Sequence, residues 1–178
     1  DLETAVARVT YIVEGVRFTR EIFASAVDQV IAIRLTADQP GRLSFTAAMS
    51  SPQSTTVSTD GPDTLVLAGI SGDYAGIKGS VRFQARLGVH TEGGRIDASG
   101  DNLAIHRADA VTLLLAVATS YRSYKDVSGD PAAGAKRHLE AASRKPFARL
   151  RHDHVAEYQK LFHRVELDLG STEAARRP

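Results

Sequence analysis

A two-residue alternation of apolar and polar side chains recurs through most of the first 126 residues and restricts the fold more than any other feature. It is clearest in residues 81–89, where apolar residues occupy the odd positions, and it recurs in residues 16–22 and 42–49. Successive side chains of a β-strand point to opposite faces, so such a stretch forms a strand with one buried and one solvated face. The first region is therefore predicted to consist of half-buried strands.

Short clusters of Gly, Pro, Asp and Asn separate these strands, at residues 14–15, 38–41, 60–62, 92–94 and 100–102. Such residues supply the backbone angles of tight hairpins. About ten strands with no intervening helix predict a mainly β fold, an antiparallel β-sandwich over residues 1–126, rather than a sheet of βαβ units. The run Ala110–Ala118 breaks the alternation and is predicted to be a central strand that is covered on both faces.

The spacing of apolar residues changes from a strand period to a helix period at Asp130-Pro131. There a helix N-cap is followed by proline at the first helical position. We expect a short helix over Ala132–Ala142 and a second helix that begins at Pro146. A short strand, Val165–Leu169, is expected to follow the second helix. Residues 127–178 are thus predicted to form a second, mainly helical region.

The second predicted helix carries an apolar stripe with steps of three and four residues, formed by Phe147, Leu150, His154, Tyr158, Leu161, Phe162 and Val165. Asp153, Glu157 and Lys160 fall on another face, which is expected to be solvated. An apolar stripe of this kind has to pack against another surface.

Charge and cysteine content exclude several classes of function. The 178 residues carry a formal net charge of +1, whereas a protein that binds mainly nucleic acid or an anionic membrane normally has a basic surplus. The absence of Cys excludes disulfides, thiol catalysis and cysteine-type zinc sites. The longest apolar stretch is about half of the roughly 20 residues that a membrane helix needs. Neither nucleic acid nor a membrane is therefore expected as a partner.

His152-Asp153-His154 is the cluster that most suggests a metal site. On a helix, residues two positions apart point roughly 200° away from each other around the axis, so these two imidazoles cannot bind one ion. A packed His154 beside a solvated His152 is the favoured interpretation. His138 and His163 have no carboxylate partner at ligand spacing.

The stretch Gly69–Ser80 contains glycines, a lysine and serines, and it superficially suggests a phosphate loop or a nucleophile elbow. A phosphate loop needs Gly-Lys-Ser/Thr at the start of a helix, but the order here is Lys78-Gly79-Ser80 before a strand. An elbow needs one residue between its Ser and the following Gly, whereas Gly72 directly follows Ser71. A flexible hairpin loop at a sheet edge is predicted instead.

Paired carboxylates perform glycoside hydrolysis, yet no pair stands out by spacing. The acidic candidates lie in predicted turns or on wet strand faces: Asp73, Glu92, Asp97, Asp101 and Asp109. The sequence has no Trp, and Tyr121 and Tyr124 are the best candidates for exposed aromatic residues. No catalytic, cofactor-binding or metal-binding residue is assigned, and no cofactor is expected.

Four segments carry a family resemblance in their order along the chain: residues 10–36, residues 81–87 with 92–94, residues 108–121, and residues 154–162 leading to 167–170. Together they resemble the N-terminal β-sandwich domain of glycoside hydrolase family 95, the α-L-fucosidases. The resemblance implies a protein with a large N-terminal β-sandwich, a helical linker, an (α/α)6 catalytic barrel and a small C-terminal β domain. In that plan residues 1–126 correspond to the later part of the sandwich, and residues 127–178 correspond to the helical linker that leads towards the barrel.

In that family the general acid and the asparagine-assisted base for inverting hydrolysis of α-L-fucosides lie in the barrel, so neither is carried over to this chain. The chain starts without Met or a leader and ends in a polar tail, and it is expected to be a segment of a larger enzyme. The implied partners are the barrel of the parent chain and, for the parent enzyme, a fucosylated glycan. A periplasmic or extracellular location is compatible with the resemblance.

The leading expectation is a structural, non-catalytic role, in which the stripe from Phe147 to Val165 packs on the barrel and fixes the sandwich against the active site. The alternative is a free-standing carbohydrate-binding module that holds sugar in the loops around Asp73-Tyr74 or Tyr121–Tyr124. An enzyme that uses the turn carboxylates is the least favoured interpretation.

Overall fold

The computed structural model of the chain describes residues 1–167, 170 and 172. In this part of the chain the strands come first and two helices follow, in the predicted order. The strands are β1 (Ala7–Val13), β2 (Val16–Ser25), β3 (Val30–Ala37), β4 (Leu43–Ala48), β5 (Ser54–Thr59), β6 (Thr64–Ile70), β7 (Arg82–Glu92), β8 (Arg95–Ser99), β9 (Asn102–Ala108) and β10 (Ala110–Thr119). The helices are α1 (Pro131–Ser143) and α2 (Phe147–Phe162).

The strands form two antiparallel sheets. The larger sheet has the order β1-β2-β3-β10-β7-β6-β5, and the smaller sheet has the order β4-β9-β8. The smaller sheet packs on one face of the larger sheet, and the helices pack on the other, α1 over β10 and β7 and α2 over β2 and β3. The predicted antiparallel β-sandwich with two following helices is confirmed. The division into a sandwich, residues 1–126, and a linker, residues 127–178, stays a prediction.

Two hydrophobic cores lie on opposite faces of the larger sheet. The core between the sheets includes Leu43, Leu65, Leu87, Val89, Leu103, Ile105 and Val111. The core between the larger sheet and the helices includes Val6, Phe23, Val30, Leu114, Leu139 and Leu150. Full burial of one such side chain contributes about 1.5–3 kcal/mol, so the helix-side core is a substantial part of what holds the fold together.

β10 contributes to both cores because it lies at the centre of the larger sheet. Val111 faces the smaller sheet and Leu114 faces the helices, and both side chains are fully buried. The prediction that Ala110–Ala118 forms a central strand covered on both faces is confirmed as far as Ala116. Val117, the next residue, is half-exposed.

The helix α1 begins as the sequence predicts and lies close to the sheet. Oδ1 of Asp130 accepts hydrogen bonds from the main-chain N–H groups of Ala132 at 3.0 Å and Ala133 at 3.1 Å. The close approach depends on small residues, because a Cβ atom on Gly134 would lie 2.9 Å from Cβ of Ala118 on β10. Gly134 therefore sets the distance between α1 and the sheet.

The helix α2 follows Pro146, as predicted, but its apolar stripe is covered differently from the expectation. Leu150 and His154 are buried against β2 and β3, so the first half of the stripe packs on the sandwich itself and is not available to a barrel. Towards the other end of the stripe, Leu161 and Val165 are exposed. Only this second half can contact another surface.

Residues 165–167 have no regular structure, which corrects the strand predicted from Val165 onwards. The remainder of that predicted strand, Asp168 and Leu169, lies outside the described residues. Of the helices that the structure describes, none has the length and apolar character needed to span a membrane.

Replacement of Gly134 by Val is expected to lower the free energy of unfolding by about 1–3 kcal/mol, the usual cost of overpacking a close contact. Helix propensity acts slightly in the opposite direction, because Gly is the poorer helix former. Ala133→Val, on the exposed side of α1, is the control and should cost less than about 0.7 kcal/mol. Urea denaturation followed by circular dichroism measures both variants. Equal stability of the two would show that α1 does not depend on this close approach.

Candidate functional site

The ammonium group of Lys145 joins three separate parts of the chain. Lys145 lies between α1 and α2, and its Nζ donates to Oδ1 of Asp28, 2.7 Å away in the turn between β2 and β3. It also donates to Oδ2 of Asp153 on α2, at 3.2 Å. The side chains of Asp28 and Asp153 are only 5% and 12% exposed, so both carboxylates are largely removed from water. These three residues are called the Lys145 junction below.

The turn between β2 and β3 holds Asp28 in place through local hydrogen bonds. The hydroxyl of Ser25 donates to Oδ2 of Asp28 at 2.9 Å, and the main-chain N–H of Asp28 donates back to that hydroxyl oxygen at 3.1 Å. Gln29 adopts a φ of 57°, and its N–H donates to the carbonyl of Ser25. The carboxylate of Asp28 therefore points at Lys145 from a fixed turn.

The electrostatics of the Lys145 junction favour the charged forms. Burial works to raise the pKa of the Asp153 carboxyl, but hydrogen bonds from His152, Lys145 and Arg149 outweigh it and hold that pKa below its ordinary value of 3.8. Hydrogen bonds to Asp28 and then Asp153 raise the pKa of Lys145 above 10.5. The junction is thus an ion triad at neutral pH, and it corrects the prediction that Asp153 lies on a solvated face.

The N-terminal segment, residues 1–5, makes a second set of polar contacts with α2. Nε2 of His154 lies 3.0 Å from the carbonyl oxygen of Thr4, and the hydroxyl of Tyr158 donates to the carbonyl of Leu2 at 2.7 Å. These carbonyls precede β1 and would otherwise need water or another partner. The contacts therefore fix α2 to the beginning of the larger sheet.

A column of rings runs along the same face of α2. The ring of Phe23 on β2 stacks on His154 at a centroid distance of 4.8 Å, His154 lies 6.2 Å from Tyr158, and Tyr158 lies 5.3 Å from Phe162. The three helical rings are four residues apart, which places them above one another on a helix. The ring column accounts for the His, Tyr and Phe residues that occur once per helical turn in the apolar stripe.

A polar cleft lies between α1 and the larger sheet. One cavity of about 420 Å³ is lined by both charged and hydroxyl side chains, and a second of about 350 Å³ adjoins it and shares His90, Ser143 and Arg144. Arg86 is buried here and forms an ion pair with Asp60. Nε2 of His90 lies 3.1 Å from the hydroxyl of Ser143. The charged and hydroxyl side chains that line the cleft can form hydrogen bonds and ion pairs with polar groups.

The histidine predictions are confirmed in part. His154 is buried and packed, and His152 is exposed beside Asp153, 3.3 Å from its Oδ1, so the two imidazoles do not converge. Across the described ranges, no three His, Asp or Glu side chains are grouped so as to hold a metal ion. No carboxylate at ligand spacing was expected to pair with His163, and its Nε2 lies 2.6 Å from Oε1 of Glu3. That partner is remote in sequence, so ligand spacing could not reveal it.

The loop predicted within Gly69–Ser80 is confirmed. Tyr74 and Ile77 exchange main-chain hydrogen bonds around Ala75-Gly76, whose positive φ values are typical of a tight hairpin. Oδ1 of Asp73 accepts from the N–H of Gly79 at 2.8 Å and closes the loop. Asp73 therefore has a structural role in the loop.

Four further acidic candidates also have structural partners. The carboxylates accept hydrogen bonds or pair with charges as follows: Glu92 with Arg34 at 2.6 Å, Asp97 with His106 at 3.2 Å, Asp101 with Asn102 at 3.2 Å and Asp109 with the N–H of Gly41 at 2.6 Å. The contact of Glu92 crosses β10 to reach β3, and that of Asp109 joins two parts of the chain that are remote in sequence, whereas the contact of Asp101 stays within one turn. We assign no general acid or base among them.

The tyrosines predicted to be exposed are exposed. Tyr124 is 83% exposed and Tyr121 is 56% exposed, and Tyr74 in the neighbouring loop is 84% exposed. The two loops leave the same end of the larger sheet, because the N–H of Ser120 donates to the carbonyl of Arg82 at 2.8 Å. This end of the sheet therefore presents three aromatic rings to solvent.

Comparisons with known proteins give a family and a fold. Residues 1–124 match the family model described as "Glycosyl hydrolase family 65, N-terminal domain". Alpha-L-fucosidase 2 of Arabidopsis thaliana is 30% identical over 198 aligned positions, which cover 97% of this chain and 23% of that protein. The resemblance to the α-L-fucosidases is confirmed by this match.

A solved structure has the same fold. A chain described as "Putative kojibiose phosphorylase from human microbiome" superposes with a TM-score of 0.52 at 12% identity, over 92% of this chain and 24% of that chain. At this identity the similarity establishes the fold alone. The chain thus spans about a quarter of the length of each of these relatives.

Lys145→Met is expected to lower the melting temperature, because it leaves the carboxylates of Asp28 and Asp153 largely buried without their shared cation. The matched control is Lys136→Met, which removes an exposed pair with Glu140 on α1. Such a pair contributes about 0.3–0.5 kcal/mol, so the control should have little effect. Differential scanning calorimetry of both variants measures the difference. Similar melting temperatures would contradict a stabilising role of the Lys145 junction.

The stability difference between the unmodified chain and Lys145→Met is expected to depend on pH. The lowered pKa of Asp153 means that its contribution is present above 3.8 and is lost as the pH falls through the folded-state value. The raised pKa of Lys145 means that its contribution is present below 10.5 and is lost as the pH rises through the folded-state value. Melting temperatures at acidic, neutral and strongly alkaline pH test this. A difference that does not shrink at either extreme would contradict it.

Proposed function

The chain belongs to the family of glycosyl hydrolase family 65 N-terminal domains, and from that premise we propose that it is the non-catalytic sandwich and linker of an α-L-fucosidase-like enzyme. The parent enzyme would hydrolyse α-L-fucosides with inversion, and its substrate would be a fucosylated glycan. The catalytic groups would lie in a barrel outside residues 1–178. The observation that carries the proposal is the 30% identity to Alpha-L-fucosidase 2 over almost the whole of this chain.

The geometry supports a structural role for these residues. The Lys145 junction and the ring column hold α2 on the larger sheet, and Leu139 of α1 is buried in the same core, so both helices are packed on the sandwich. At the end of α2, Leu161 and Val165 are exposed and apolar, and such side chains suit burial against another part of the parent chain. The linker would thereby hold the sandwich at a defined position relative to the barrel.

The 178-residue chain alone is expected to show no hydrolysis of a chromogenic α-L-fucoside, whereas the full-length parent chain is expected to hydrolyse it. The five acidic candidates weighed above are engaged in structural contacts, so no acid and base pair is assigned within the described part of the chain. Release of the chromophore at equal molar concentrations measures both chains. A heat-denatured sample of the parent chain serves as the control. Hydrolysis by the 178 residues alone would contradict the proposal.

A free-standing carbohydrate-binding module is the second candidate, and the three exposed tyrosines at one end of the larger sheet favour it. A planar apolar ring face with a hydroxyl at its edge can contact a sugar ring and its hydroxyl groups. Tyr74, Tyr121 and Tyr124 are exposed on two loops that leave the same end of the larger sheet. This candidate needs no barrel.

If the second candidate holds, isothermal titration with a fucosylated oligosaccharide is expected to show saturable binding that Tyr74→Ala and Tyr124→Ala each weaken about tenfold, the loss of roughly 1.4 kcal/mol of contact. Tyr158→Phe is the control, since Tyr158 lies in the ring column on α2. Saturable binding that is unaffected by either loop variant would contradict a tyrosine site, and absence of binding would favour the structural role.

A further inference from the structure

The two sheets of the sandwich differ in width, and the difference leaves part of the larger sheet uncovered. The larger sheet has seven strands and the smaller has three. The smaller sheet packs over β6, β7, β10 and part of β3, where Leu65, Leu87 and Val111 are buried. On the same face, β1 carries Val9 and Val13, which are 52% and 51% exposed. The sandwich side of β1, together with Ile22 on β2, thus presents apolar residues without a covering layer in the described part of the chain.

A groove of about 570 Å³ marks this open face. Its floor consists of side chains from the larger sheet, which are apolar except for Arg20 of β2, and its wall is the beginning of β4. The guanidinium of Arg20 donates to the hydroxyl of Tyr11 at 3.0 Å. The apolar floor residues are Tyr11, Val13, Phe18, Ile22, Ile33, Leu35 and Leu113. The open face continues past the groove to Ile31 and Val117, which are also exposed. An apolar surface of this extent on a folded domain indicates an interaction site.

The strand β4 borders the groove with a free edge. Within the residues that the structure describes, β4 pairs with β9 on one side and with no strand on the other. A sheet edge of this kind presents main-chain N–H and C=O groups that can pair with an added strand. A strand added there would lie about 4.8 Å from β4 and about 10 Å above the larger sheet, directly over the apolar floor.

We propose that an extended segment of the parent polypeptide, outside residues 1–178, adds to β4 as a strand and covers the open face of β1, β2 and β3. The inference rests on the proposed function, in which the chain is part of a longer protein. It is supported by the relative Alpha-L-fucosidase 2, of which the chain covers only 23%. Apolar residues at every second position of the segment would face the floor.

Charge favours such a segment over a second copy of this chain. The charged residues that line the groove are Arg20 and Arg42, and no carboxylate lines it. A second copy docked by the same face would bring two more arginines and no acidic group to the contact. A segment that carries Asp or Glu opposite Arg20 in the floor and Arg42 beside β4 would pair with both arginines. The expected occupant is therefore an alternating strand with acidic residues next to these two arginines.

Hydrogen exchange of the β4 main-chain amides tests this inference. In the full-length parent chain, the amides of Leu43–Ala48 that face the free edge are expected to exchange at least about 100-fold more slowly than in the 178-residue chain, because pairing protects them. Val13→Lys in the parent chain should remove this protection, since it places a charge in the apolar floor. The matched control is Ile12→Lys, because Ile12 is also exposed and lies on the opposite face of the same strand.

Equal exchange of these amides in both chains would overturn the inference, and so would protection that increases with protein concentration, since that result would identify a second copy as the occupant. Fucoside hydrolysis by the same parent preparation separates the two proposals. An active parent chain with unprotected β4 amides would overturn only the added strand. An inactive parent chain with protected amides would overturn only the fucosidase assignment.

Discussion

The central strand of the larger sheet buries apolar residues on both faces, and the rest of the structure depends on covering them. In β10, Val111 points to the smaller sheet and Leu114 points to the helices, and both side chains are fully buried. A sheet of this kind needs a layer on each side, so α1 and α2 belong to the same hydrophobic unit as the strands. Gly134 lets α1 approach closely enough to provide that layer. The two helices that the sequence pattern predicts therefore cover the second face of the larger sheet.

Apolar burial holds the helices on the sheet but does not by itself fix their positions along it, because the hydrophobic effect is not directional. Directional contacts do so here. The Lys145 junction connects the turn after β2, the end of α1 and the first half of α2, and the carbonyls of the N-terminal segment bind the second half of α2. Two charged aspartates in a largely buried environment require their shared cation. The junction therefore favours one position of the helices on the sheet, at the cost of largely removing the two carboxylates from water.

Local patterns allowed much of the fold to be predicted from the sequence, because strand alternation, turns and caps are encoded by neighbouring residues. The Asp130 cap and the central position of β10 are examples. The contacts that define the candidate site join residues far apart, such as Asp28 with Lys145 and Glu3 with His163. No local period encodes such pairs. A helical projection assigned Asp153 to solvent for the same reason, since its partners lie elsewhere in the chain.

The surfaces that remain open lie on opposite sides of the larger sheet. The groove beside β4 lies on the side of the smaller sheet, whereas Leu161 and Val165 belong to the helix layer. One short segment cannot cover both surfaces, because the larger sheet lies between them. A parent chain that buries both would contact this unit from two directions and would hold it as a rigid layer. Rigid attachment on two sides suits a support for a neighbouring catalytic domain better than it suits a module tethered by one flexible linker.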